Sequence, residues 1–173
     1  MAHQDTVVVA TGAFGLRRQV TAGLAGGLVG GVTIWIYELV VNSGLLKLAT
    51  PYQVVENTAV LCFGPGIRAL GPPAFFLGVA IHFATAMVWG ILFALIWPAL
   101  RARRIEATLA ALVFGIFAWI VMHNLLLAAF SPAPPSYTVY SVINGFMSHT
   151  LGFAVPLALV VQNRLERRAL PRA

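Results

Sequence analysis

Glu38, His82, His123 and His149 are the residues of this chain whose types and positions could do chemistry. Each falls inside a long apolar run, where an ionisable side chain is expensive unless it faces other protein groups. Neutral imidazole nitrogen is a good ligand for zinc, copper or iron, and a carboxylate completes such a set. The expected centre is therefore a transition metal (Zn, Cu or Fe) held by Glu38, His82, His123 and His149. Alternatively, haem b is held axially by two of His82, His123 and His149. Met87, Met122 and Met147 would favour copper(I) if they turned inward. Met122 and Met147, however, lie next to or near a histidine in sequence and are expected to point elsewhere. No HExxH or CxxC motif is present. A metal-free hydrogen-bonded network, or a proton pathway using histidine titration, would place the same residue types in the same runs.

The elements that must position these residues follow from composition. Of 173 residues, 60% are hydrophobic and 9% charged, and the mean hydropathy is +0.87. A soluble domain needs far more surface charge. Four apolar runs, at about 20–41, 74–99, 107–130 and 140–161, match the roughly 20 residues that cross a bilayer as a helix. The expected fold is an all-α integral membrane four-helix bundle, one domain over 1–173, with short inner and outer turns and one longer outer loop, 42–73. Threaded up and down, His82, His123 and His149 all fall roughly 10–14 Å below the outer boundary at 1.5 Å rise per residue. Glu38 falls at roughly 5 Å on the same measure. Every span thus contributes one ionisable group to the outer half. Thr85 and Trp89 share a helical face with His82, as do Gly115 and Trp119 with His123, and Gly145 and Gly152 with His149.

Charge sets the orientation. Arg17 and Arg18 precede the first span, Arg101, Arg103 and Arg104 fill the turn after the second, and Arg164, Arg167, Arg168 and Arg172 follow the fourth. Only Lys47 and Arg68 fall on the other side. The positive-inside bias puts both termini in the cytoplasm of a bacterial inner membrane. The net charge of +6 is then explained by span ends that meet anionic headgroups, and no nucleic-acid partner is expected. The start, "GLRRQVTAGLAGG", is expected to be a retained helix rather than a cleaved signal. Gly23, Gly27 and Gly31 repeat at four-residue spacing, a face that lets two helices approach closely. It could serve a homo-oligomer or a larger membrane complex, which makes a non-catalytic accessory subunit a further functional class. In the outer loop, Thr50 before Pro51 predicts an N-capped helix over "PYQVVENTAVLCF", ended at Gly64-Pro65-Gly66. Cys62 stands alone, so no internal disulfide forms. Trp97, Tyr37, Tyr137 and Tyr140 suit interfacial belts.

At these residues the chain resembles the YagU-like bacterial inner-membrane proteins over most of its length. The shared features are a glycine-bearing first helix ending at an aromatic and a glutamate ("GGVTIWIYELV", Glu38) and a histidine early in the next span ("IHFATAMVWGILFALI", His82). A third-span histidine precedes a proline pair ("VMHNLLLAAFSPAPP", His123, Pro134–Pro135), and a fourth opens the last helix before a basic exit (His149). The chain departs from the family in its shorter outer loop with one cysteine. The resemblance implies a four-span fold and supplies no reaction; no residue identifies a substrate.

Overall fold

The computed structural model describes residues 14–126 and 137–167, and these are helical with no strand among them. Four stretches are long and apolar enough to cross a membrane: Leu16–Leu45, Pro72–Ala102, Ala107–Leu125 and Val139–Glu166. The chain is a multi-pass helical bundle. Its first span is α1 (Leu16–Glu38) running into a π-helical segment, π1 (Leu39–Leu45). α2 (Pro51–Phe63) is the short helix of the long connection, and α3 (Pro72–Ala102) the second span. The third span is α4 (Ala107–Ile120) with π2 (Val121–Leu126). The fourth is α5 (Val139–Met147), π3 (Ser148–Ala154) and α6 (Val155–Glu166). The expected end of the third span at Phe130, the turn containing Pro134–Pro135, and Arg168 and Arg172 lie outside the described residues.

Local signals explain the ends. Thr50 accepts a hydrogen bond from the Gln53 amide while the Gln53 side chain accepts from the Thr50 N–H, a reciprocal cap with Pro51 in the first turn. Gly64 and Gly71 take φ of 82° and 64°, turns that a residue with a Cβ resists. Pro72 then opens α3. At the arginine-rich end, the Arg18 guanidinium donates to the Leu165 carbonyl at 2.6 Å, and Arg101 pairs with Glu166 at 3.2 Å.

Packing runs along the glycines of α1. A Cβ on Gly23 would lie 2.5 Å from Ile91 Cα, and one on Gly27 would collide with the Ala86 carbonyl. On the other flank, a Cβ on Gly26 would lie 2.8 Å from Val161 Cγ2, and one on Gly30 2.8 Å from Phe153 Cδ2. Lipid supplies little hydrophobic incentive for helix association, so this close approach is how the helices gain dispersion contacts. The face of Gly23, Gly27 and Gly31, whose partner helix the sequence left open, is filled by the chain's own α3, and Gly26 and Gly30 by the fourth span. Trp97 is a correction. It is 1% exposed and stacked on Phe93 in the core, because it faces the other helices rather than the headgroups.

The first and second spans pack together, as do the third and fourth. α1 and the fourth span are antiparallel packing partners, whereas α3 and α4 meet only sparingly. The bulky Trp89, Phe93 and Phe114 fill the space between them. Three of the four spans also leave α-helical geometry at the same end of the bundle, the end beneath α2. In π3 one cause is visible. Pro156 has no N–H to give the Gly152 carbonyl four residues earlier, and Thr33 Oγ1 donates to that carbonyl at 2.6 Å instead.

Candidate functional site

Above the rings of Trp89, Phe93 and Phe114, at the α2 end, a cavity of about 980 Å³ lies among the four spans and α2. Its floor is aromatic: Trp89 sits edge-on to Phe114 with centroids 5.6 Å apart. Its roof comes from α2, with Asn57, Leu61 and Cys62. Glu38, His82, His123 and His149 all line it, one from each span. Thr85, Trp89 and Trp119, placed by spacing on the histidine faces, line it too.

Glu38 ends α1. Its carboxylate accepts hydrogen bonds from the Asn42 amide, one turn later, and from the Asn144 amide of α5 at 3.4 Å. Asn42 in turn accepts from the Tyr140 hydroxyl at 2.6 Å. The ion pairs among the described residues are Arg68–Glu56 and Arg101–Glu166, so the partners of Glu38 are all neutral. His82 stacks on Trp35, with centroids 4.4 Å apart and planes 15° apart. Its Nε2 lies 2.9 Å from the Gly31 carbonyl. A carbonyl only accepts, so Nε2 carries the proton and Nδ1 keeps its lone pair. His149 is the mirror case: Nδ1 lies 2.9 Å from the Gly145 carbonyl, which leaves the Nε2 lone pair free in the neutral ring. The π3 turn sets this contact, and Gly115 of α4 abuts the His149 carbonyl closely enough that a Cβ would lie 2.5 Å away. His123 stacks on Trp119 at 5.3 Å and meets His149 edge to face at 5.5 Å.

The structure thus brings the four expected residues to one cavity and puts two imidazoles in contact. It does not close all four around one ion. No group of three or more His, Cys, Asp or Glu among the described residues is arranged to hold a metal. The reasons are local: the amides of Asn42 and Asn144 engage Glu38, and Trp35 with the Gly31 carbonyl clamps His82 against α1. Met147 is 41% exposed, as expected, whereas Met122 lines the cavity despite its adjacency to His123. The wider π2 turn breaks the face arithmetic used for an α-helix.

Asn42, Tyr137, Tyr140 and Cys62 are part of this site and were not foreseen in it. The tyrosines were assigned to the interface, which matches their partial exposure. Their hydroxyls nonetheless turn inward, Tyr137 to the His123 carbonyl at 2.9 Å and Tyr140 to Asn42. The i, i+4 spacing of Asn42 after Glu38 was a usable signal. Comparison with protein-family models, curated proteins and solved structures finds no match for this chain.

Proposed function

We propose that this is a multi-pass protein of the bacterial inner membrane, both termini cytoplasmic, that binds a small organic molecule in its outer half. The observation that carries this reading is the cavity itself: about 980 Å³, aromatic on its floor and sides, with a carboxylate and three imidazoles on its wall. Apolar concavities with a few convergent polar groups are the usual form of a ligand site. Membership of the YagU-like proteins is part of the proposal and rests on the sequence resemblance around Glu38, His82, His123 and His149. Native mass spectrometry of the purified protein against a library of small amphipathic compounds tests it. A stoichiometric adduct is expected, and Thr85→Trp, which fills the cavity from α3, should abolish it. Adducts that are absent, or equal in both proteins, would overturn it.

The contact between His123 and His149 favours a second reading, a transition metal. Two imidazoles on one tetrahedral zinc at about 2.0–2.1 Å have ring centroids about 5 Å apart, close to the observed 5.5 Å. Glu38 and His82 would complete the set by rotating inward on loading. Haem b would not be held between His123 and His149, whose rings are already in contact, so two imidazoles holding it would have to include His82. Elemental analysis and an absorption spectrum decide this reading: stoichiometric zinc, copper or iron supports the metal, and a Soret band the haem. Neither result would leave only the organic ligand.

A further inference from the structure

We propose that the cavity selects organic cations that carry N–H donors, a primary amine or guanidine on an apolar body. This deepens the small-molecule reading above and rests on it. The first observation is charge. Glu38 is the one acidic or basic side chain, histidines aside, among the residues that line the cavity. Its described hydrogen-bond partners are the neutral amides of Asn42 and Asn144. A carboxylate away from bulk water attracts a counter-cation more strongly than one in solution and repels an anion.

The second observation is the direction of the hydrogen bonds. The donors nearest Glu38 and several beside the imidazoles are engaged within the protein. The Asn42 and Asn144 amides serve Glu38, the Tyr140 hydroxyl serves Asn42, and the Tyr137 hydroxyl serves the His123 carbonyl. The protons on His82 Nε2 and His149 Nδ1 serve the backbone carbonyls of Gly31 and Gly145. Around the carboxylate and the imidazoles, acceptors remain: the other carboxylate lone pairs, His82 Nδ1 and His149 Nε2 of the neutral rings. A guest that brings donors complements these groups, and one that brings only acceptors leaves them unsatisfied. The third observation is aromatic surface. Trp89, Trp119 and Tyr140 line the same space, and aromatic faces hold both an apolar body and a positive charge.

Calorimetry on the full-length protein in detergent, at about pH 8 where unperturbed imidazole is neutral, tests the selection with four matched probes. These are 4-phenylbutylamine, 4-phenylbutanol, 4-phenylbutyrate and 4-phenylbutyltrimethylammonium, each corrected for protein-free micelles. The amine should bind about tenfold or more tighter than the alcohol, as a charge-assisted hydrogen bond exceeds a neutral one. The butyrate should bind weakest, and the trimethylammonium, cationic without a donor, should fall below the amine. Glu38→Gln should bring the amine to the level of the alcohol. Equal binding of amine and alcohol, or an amine preference that survives Glu38→Gln, overturns the proposal. A trimethylammonium as tight as the amine overturns its donor requirement. If Glu38→Gln does not fold, the ranking of the four probes on the native protein decides. Failure of all four to bind also overturns the selection, and the adduct experiment then shows separately whether the cavity reading falls with it.

Discussion

Gly90→Ala tests whether the bundle depends on the α1–α3 glycine seam. The added Cβ would collide with the Gly23 carbonyl oxygen and sit 2.6 Å from Gly27 N and 2.7 Å from Gly27 Cα. All three neighbours are backbone, so no side chain can swing away. Restoring ordinary contact at about 3.5 Å requires the two helices to separate by about 1 Å along their closest approach. Overpacking of this kind costs about 1–3 kcal/mol, and three backbone clashes place it at the upper end. Alanine returns about 1 kcal/mol through helix propensity, which leaves a net loss of about 2 kcal/mol. For a chain of this size that is a fall in Tm of about 4–8 °C, read by tryptophan fluorescence during heating in detergent. Gly44→Ala is the control, since its Cβ would meet only Leu39 O at an ordinary 3.6 Å. It should melt no lower than the native protein and gain up to about 1 kcal/mol from the same propensity. If Gly90→Ala melts with the native protein, close backbone approach is not what holds α1 to α3.

Three further outcomes follow from the site and its roof. Gly145→Ala places a Cβ on the indole of Trp119, which stacks on His123. It should shift the tryptophan emission and destabilise by about 1–3 kcal/mol, and an unchanged spectrum would contradict the packing. Arg68→Ala strands the Glu56 carboxylate, which is 3% exposed on α2 and 3.1 Å from Arg68 Nε. An unpaired buried charge costs about 3 kcal/mol or more, so hydrogen exchange should quicken over 51–70 while the spans stay protected. Uniform exchange across the chain would count against a separately anchored α2. Burial pushes the Cys62 thiol up from its ordinary value, so less thiolate exists at neutral pH and alkylation is slow. The rate should keep rising above about pH 8.5, the usual thiol midpoint. It should fall when 4-phenylbutylamine occupies the cavity that Cys62 lines. A rate that levels off below that midpoint would refute the burial argument.

Most of the fold was legible because bilayer thickness turns hydropathy into helix count, and because Thr50–Pro51 and Gly64 mark the ends of α2 without tertiary information. Depth was legible by the same arithmetic, and it is why Glu38, His82, His123 and His149 meet in one cavity. Two things were not. Spacing along α1 shows that Gly23, Gly27 and Gly31 form a close-approach face but says nothing of what approaches, and the occupant proved to be the chain's own α3. Likewise, common depth does not determine orientation around an axis. His82 is held by a stacking partner and a carbonyl on its neighbour, Glu38 by two amides, and π1, π2 and π3 alter the facing of residues such as Met122. Pro156 was the one visible hint of irregular geometry in the fourth span.

The proton-pathway reading can be judged from the other half of the bundle. Below Trp89 the core consists of Phe93, Ala94, Trp97, Leu157, Val161 and Leu165, each 1% exposed or less. The described hydrogen bonds from Glu38 run outward through Asn42 to Tyr140, which is 40% exposed. A proton on Glu38 or His149 therefore has a route toward the α2 end, but the inner core offers it no titratable relay among the described residues. Water large enough to bridge needs polar partners, and this core is built of aromatic and aliphatic side chains. Proteoliposomes under a pH gradient should accordingly dissipate it no faster than protein-free vesicles, and His123→Ala should match the native protein. Faster dissipation by the native protein, lost in His123→Ala, would show that the packed half opens and that the cavity is one end of a channel rather than a closed chamber.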